Sequence, residues 1–265
     1  MRVAIIGNND GPDRLAASLA GSSHKVVCIG RQKIDVPDEA AAERLLADVS
    51  FDLLVNCFAN FRYRRLHLRY PAVNVHLAPL PAYRGRHPLQ WALINGETEF
   101  GATIHDITDA YDAGTIRWQD HIAVEDGWSA AELREALLRR VELAFPSFLD
   151  TYDPGNPGLA NDPAAATYVT RRFPEDGRIT DWSDRDRVFR TVRALRHDDH
   201  PAYVVHAGNQ HVLSDARRDP RRFVGAIPGT LAGRRGEAVL VACGYGGSIL
   251  LSGSTLHALP VNAKL

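Results

Sequence analysis

Four short apolar runs open the chain: Arg2-Val-Ala-Ile-Ile6, Lys25-Val-Val-Cys-Ile29, Asp52-Leu-Leu-Val-Asn56 and Ala72-Val-Asn-Val-His76. The first is an unbroken apolar run ended by Gly7, which is what a strand buried on both faces looks like. Helical patterns lie between them, at Arg14–Ala20 and at roughly Asp38–Asp48. Strands alternating with helices build a parallel sheet covered on both sides, an α/β fold. Ligands of such sheets sit beyond the carboxyl ends of the strands. Asn74 and His76 stand at the carboxyl end of the fourth run.

The second half of the chain has a different rhythm. Pro88 opens a helix over Leu89–Ile94, closed by Asn95-Gly96, and two strands are expected at Gly101–Ile107 and Thr115–Val124. A long amphipathic helix is expected around Ala130–Tyr152, with Leu133, Leu137, Leu138, Val141, Leu143, Ala144 and Phe148 at helical spacing. Pro154-Gly-Asn-Pro-Gly158 is a breaker. After it come one more helix, 184–197, and short β-like runs at 202–206, 211–214, 238–243 and 248–252. The expected organisation is a catalytic domain over 1–158, a linker with a helical segment over 159–200, and a small β-rich, OB-like domain over 201–265.

Composition narrows the function. The 265 residues are 45% hydrophobic and 24% charged, with a net charge of −1. A clear basic surplus is the usual footprint of nucleic-acid binding, so no nucleic-acid partner is expected. Three well-separated cysteines, Cys28, Cys57 and Cys243, contain no CxxC pair, which argues against a zinc knuckle or a disulfide framework. The opening MRVAIIG is too short for a signal peptide, and no apolar run reaches the roughly 20 residues that span a bilayer. A soluble, cytoplasmic protein without membrane contact is expected.

In a strand, residues i and i+2 share a face, so Asn74 and His76 converge on one space while Val73 and Val75 pack the other way. An Asn amide can donate to an oxygen that is becoming an oxyanion. A His can move a proton near neutral pH. Asp112, thirty-six residues on in Tyr-Asp-Ala-Gly, can orient the imidazole or take a proton through water. An isolated N-x-H is more often a satisfied strand end. Here it is followed by the Pro79-Leu-Pro-Ala-Tyr-Arg-Gly85 turn and the Asp-Ala-Gly loop, and that context favours chemistry: acyl transfer without a covalent intermediate.

The segment VNVHLAPLPAYRGRHPLQWALINGETEFGATIH, with DAGTI after it, resembles the formyltransferase family that uses 10-formyltetrahydrofolate. That family includes enzymes acting on methionyl-tRNA, glycinamide ribonucleotide and sugars. The best likeness is to the sugar N-formyltransferases of the UDP-4-amino-4-deoxy-arabinose type, and it covers most of residues 50–252. The resemblance implies a Rossmann-like parallel-sheet domain followed by a small β-rich C-terminal domain. It implies Asn74, His76 and Asp112 as the catalytic residues. It places Phe58, Ala59, Asn60, Phe61, Leu80, Thr108, Asp109, Ala110 and Tyr111 at the folate, and it suggests Tyr83, Arg84, Gly85, Arg171 and Arg172 toward the acceptor. The implied cosubstrate is 10-formyltetrahydrofolate, and the implied partner is a UDP- or dTDP-aminosugar.

There are departures and alternatives. Ala78 replaces the family's usual Ser. Between Ile29 and Asp52 only Lys33–Val36 could supply a strand, so one strand–helix unit looks trimmed. Gly7-Asn-Asn-Asp-Gly11 is not a dinucleotide fingerprint. His87, His105, His121, His197, His200, His206 and His211 lack tight ligand spacing, so no metal is expected and surface or strand positions are. Trp91 and Trp182 read as core residues. Within the class, the runner-up acceptor is an amino acid or peptide amine such as hydroxyornithine. A formyltetrahydrofolate hydrolase is disfavoured, because a first strand at residue 2 leaves no room for the N-terminal regulatory domain those enzymes commonly carry. A homodimer through an uncovered β edge is left open.

Overall fold

The computed structural model describes residues 1–32 and 34–265. The elements of the first half are β1 (Arg2–Gly7), α1 (Gly11–Ser18), β2 (Lys25–Arg31), α2 (Glu39–Leu46), β3 (Leu53–Cys57), α3 (Leu66–Arg69), β4 (Ala72–His76), β5 (Arg84–Gly85) and α4 (Pro88–Asn95). Then come β6 (Glu99–Asp106), β7 (Ile116–Ala123), α5 (Ala130–Thr151), β8 (Tyr168–Val169) and α6 (Arg185–Ala194). The last strands are β9 (Tyr203–His206), β10 (Asn209–Val212), β11 (Asp215–Asp219), β12 (Leu231–Arg235), β13 (Ala238–Ala242) and β14 (Ser248–Ser252). Two compact units result. One holds Met1–Pro88, Glu99–Ala123 and Arg134–Val169; the other holds Leu89–Thr98, Val124–Leu133 and Thr170–Leu265. The expected linker, 159–200, is thus divided between them at Val169.

The first unit carries a six-stranded sheet in the order β2-β1-β3-β4-β6-β7. β1 to β4 pair in parallel, while β6 and β7 run antiparallel to their neighbours. The sheet is thus parallel through its first four strands, as expected, with an antiparallel pair at one edge. β6 ends at Asp106 and β7 begins at Ile116; the chain between them is shorter than the dozen or so residues that a parallel crossover needs. Ala4, Ile6, Leu54 and Ala72 pack on one face with Ala42 and Leu46 of α2. Val3, Ile5, Leu53, Val55 and Val73 point the other way and are equally buried. That double cover is why these strands read as unbroken apolar runs. Each such side chain contributes about 1.5–3 kcal/mol on burial. Asp38 ends the preceding loop by accepting the Ala41 N–H at 2.8 Å, a side-chain cap on α2. Lys33 lies outside the described residues, and Ile34–Val36 form no strand, in keeping with a trimmed unit.

The second unit holds a four-stranded antiparallel sheet, β11-β14-β13-β12, and a separate hairpin of β9 and β10. Asp184 caps α6 by accepting from Asp186 and Arg187. β11 and β12 are the two edges, and neither was expected from the sequence. They read Asp-Ala-Arg-Arg-Asp and Leu-Ala-Gly-Arg-Arg, so the apolar signal of a strand is missing. Charged edges of this kind discourage strand addition by another chain, which removes the support for a dimer formed through this sheet. Cys57 and Cys243 are buried thiols and Cys28 is half-buried. No helix among the described residues is long and apolar enough to cross a membrane.

Candidate active site

The centre of the site is a polar row laid across three strands. Register places Asn56 of β3 beside Asn74 of β4, and Asn74 beside His105 of β6. The Asn56 amide donates from Nδ2 to Asn74 Oδ1 at 2.7 Å. Asn74 Nδ2 in turn lies 3.0 Å from His105 Nε2 and 3.4 Å from Asp112 Oδ1. His105 is only 2% exposed. It is a strand residue, as expected, and register sets it beside Asn74.

His76 extends from the end of β4, two residues beyond Asn74 and on the same face. It is 8% exposed. Its Nε2 lies 3.0 Å from the carbonyl oxygen of Tyr83. A carbonyl only accepts, so Nε2 carries the hydrogen. Nδ1 is left facing Asp112 Oδ1 at 3.7 Å. Burial pushes the His76 imidazole below its usual 6.5, and the opposing pull of Asp112 does not cancel it. Burial alone would raise Asp112. His76 and His105 beside it, and the N–H of Gly85, outweigh burial and hold the carboxyl well below the carboxylate range. The neutral-pH state is a carboxylate beside a neutral imidazole whose Nδ1 lone pair is available as a base.

Asp112 sits in the left-handed region, at φ 50°, in the β6–β7 loop. Its Oδ2 accepts the Gly85 N–H at 2.8 Å. Asn161 holds the loop from outside, donating to the carbonyls of Asp112 and Gly114 at 2.9 Å each. The Arg84 guanidinium anchors Asn161, at 2.6 Å to Oδ1, and reaches the Tyr168 hydroxyl at 3.3 Å. Arg84 is 3% exposed, and its guanidinium braces the turn that carries Asp112.

Gly85 is required at its position. Its φ is +109°, and an added Cβ would stand 2.2 Å from the Val169 carbonyl oxygen, across the β5–β8 pair. Gly85→Ala is expected to destabilise the protein by at least about 2 kcal/mol, the scale of a backbone held in a region closed to side chains. Urea denaturation checks this; an unchanged midpoint would show that the turn relaxes freely.

The remaining sequence-derived residues fall into two groups. Leu80 is buried, its N–H donating to Thr103 Oγ1 at 3.2 Å and its carbonyl accepting from Gln119 at 2.7 Å. The peptide bond from Leu80 to Pro81 is cis. Tyr83 packs edge-on to Phe100, with ring centres 5.1 Å apart. Phe58, Ala59, Asn60 and Phe61 follow β3. Thr108, Asp109, Ala110 and Tyr111 follow β6 and are exposed. Arg62 ties the two loops, donating to the Asp109 carbonyl at 2.6 Å with its guanidinium 5.6 Å from the Tyr111 ring. The Phe58 ring lies near Arg134, 5.4 Å from its guanidinium, and Ala59 turns its N–H inward to Asn56 Oδ1.

Arg171 and Arg172 belong to the second unit. Arg171 is exposed over Phe173. Arg172 is 1% exposed and ion-paired to Asp198 at 3.1 Å, with a further bond to the His200 carbonyl. Trp182 is buried as expected, whereas Trp91 is half-buried and donates to the Thr170 carbonyl at 2.8 Å. Among the described residues no group of three or more His, Cys, Asp or Glu is placed to hold a metal ion.

Residues 66–149, which contain Asn74, His76, His105 and Asp112, match the family described as formyl transferase. That stretch, about a third of the chain, is similar to formyl transferases. Solved structures share the fold along almost the whole chain. HypX from Aquifex aeolicus, in complex with tetrahydrofolic acid, is 22% identical with a TM-score of 0.67, and the match covers 94% of this chain and 43% of that one. The chain thus spans less than half the length of HypX. An N-formyltransferase from Helicobacter canadensis, solved with folinic acid and dTDP-3-aminofucose, is 15% identical with a TM-score of 0.69 over 95% of this chain and 98% of that one. Methionyl-tRNA formyltransferase from Clostridium thermocellum is also 15% identical, at TM-score 0.64 over 83% and 94% of the two chains. At these identities the likeness shows the fold alone; the similarity to formyl transferases rests on the match over residues 66–149.

Proposed function

We propose that this formyl transferase moves a formyl group from 10-formyltetrahydrofolate to the free amine of a nucleotide-linked aminosugar. The observation that carries the chemistry is the convergence of Asn74, His76 and Asp112 at the carboxyl end of β4. The amine nitrogen attacks the formyl carbon, and a C–N bond forms as the carbonyl electrons move to oxygen. The second Asn74 N–H has only the 3.4 Å contact to Asp112 and is the donor available to that oxyanion. The His76 Nδ1 lone pair takes the proton from the attacking nitrogen, and the Asp112 carboxylate stabilises the imidazolium. Collapse of the intermediate breaks the bond to the folate nitrogen, which receives the proton. The products are a formamide and tetrahydrofolate.

The folate role assigned to Phe58–Phe61 and Thr108–Tyr111 rests on their position. Both loops leave the carboxyl ends of strands in the same sheet as the triad, where ligands of such sheets bind. The acceptor reading is supported by the end-to-end match with an aminosugar enzyme and by the near-neutral charge of the chain.

The test is a panel of acceptors offered with 10-formyltetrahydrofolate: dTDP- and UDP-aminosugars, hydroxyornithine, methionyl-tRNA, and none. A formamide on at least one nucleotide aminosugar is expected. Salt-sensitive activity on tRNA alone would overturn the acceptor assignment, since each phosphate neutralised steepens the salt dependence. Activity on hydroxyornithine alone would move it to another amine. Equally fast formate release without acceptor would make the protein a hydrolase.

A further inference from the structure

We propose that Asn56 is a positioning residue that decides which way round the Asn74 amide stands. This rests on the reading of Asn74 as oxyanion donor. An Asn side chain can sit in either of two orientations related by a flip, and only one turns its N–H groups toward Asp112 and His105. The row across β3, β4 and β6 admits a single direction of hydrogen bonding. At one end, Asn56 Oδ1 accepts from the backbone N–H of Ala59 and from the Tyr63 hydroxyl, both at 3.2 Å. A backbone N–H can only donate, so Asn56 presents its oxygen there and its NH2 to Asn74. Asn74 must then offer its oxygen to Asn56, 2.7 Å away, and turn its own NH2 to the site.

The other end agrees independently. His105 Nδ1 lies 2.8 Å from the carbonyl oxygen of Asp106, so Nδ1 carries the ring hydrogen and Nε2 is the acceptor that faces Asn74. The Asp112 carboxylate, also facing Asn74, only accepts. Flipping Asn74 would oppose donor to donor at Asn56, and acceptor to acceptor at both His105 and Asp112. In a buried row such mismatches are not relieved by water. The catalytic donor is thus oriented, through Asn56 on the neighbouring strand, by one backbone N–H, at Ala59.

The test is the near-isosteric N56D substitution. An ionised carboxylate cannot donate, so it draws the Asn74 NH2 toward β3 and turns the Asn74 oxygen into the site. Two readouts are taken at pH 8. Turnover in formyl transfer is expected to fall at least tenfold, with KM for the folate changed less than threefold. Nitrogen-15 resonances of the histidine rings are expected to show His105 Nε2 unprotonated in the wild type and protonated in N56D, because it then faces a carbonyl oxygen. A protonated Nε2 in the wild type overturns the proposal whether or not the variant folds. Unchanged turnover overturns it, and so does slowed turnover with an unmoved Nε2 signal, which is a merely structural loss. If the wild type transfers no formyl group to any acceptor while the Nε2 signal moves in N56D, the orienting role stands and the functional reading fails.

Discussion

His76→Ala lowers turnover by about 100-fold or more, the usual size of a general acid–base contribution, while folate affinity changes much less. Nδ1 of His76 carries the lone pair of the ring, since Nε2 donates to the Tyr83 carbonyl, and it faces Asp112 at 3.7 Å. Removing the ring removes the proton acceptor and leaves the sheet that positions the folate intact. Asp112→Asn tests the charge without the geometry. Its amide oxygen can still accept the Gly85 N–H, yet it no longer stabilises an imidazolium, so a loss of similar size is expected. The pH dependence follows from the direction of the His76 shift. A depressed imidazole stays neutral down through pH 6.5, so the loss of activity on acidification falls below that value. Steady-state kinetics from pH 5 to 8 on the wild type and both variants check this. Near-normal turnover in both folded variants, or an acid limb centred above pH 6.5, would sink the assignment of His76 as base.

Asn74→Ala removes the oxyanion donor and is expected to lower turnover by about 100- to 1,000-fold, or roughly 3–4 kcal/mol of transition-state stabilisation. KM for the folate should move little, because the bond is strongest to an oxygen that carries charge only in the transition state. Asn74→Asp should be as slow, since a carboxylate cannot donate and places a second negative charge beside Asp112. Stopped-flow measurement of the transfer step separates this from slow product release. A loss confined to KM would show that Asn74 binds the ground state and leave the oxyanion without its donor.

The elements that reward local reading are those whose burial is written in consecutive residues. The strands of Arg2–Gly7 and Leu53–Cys57 are apolar but for Arg2 and Asn56, because both their faces are covered. Ala72–His76 was legible to the residue. The edge strands Asp215–Asp219 and Leu231–Arg235 were not, because an exposed edge carries arginines and no apolar period. The antiparallel turn of β6 was illegible for another reason: strand direction depends on where the chain returns, and no local propensity records it.

The site divides along the same line. The i, i+2 spacing of Asn74 and His76 put both on one face before any tertiary contact was known, because a strand has a fixed period of two. Asp112 was legible through its Tyr-Asp-Ala-Gly context and the family resemblance. Asn56 and His105 carried no such signal. Each is an unremarkable polar residue in an apolar run, and only strand register sets them on either side of Asn74. The buried Arg84 and Arg172 show the reverse case. Their charge suggested a ligand, but a guanidinium can equally be satisfied by Asn161 or Asp198, and burial chose the protein partner. The sequence by itself determined the sheet's central strands and the face that Asn74 and His76 share, because backbone periodicity is local. Only the tertiary structure decided which polar groups meet there, because pairing across strands brings together residues that the chain keeps far apart.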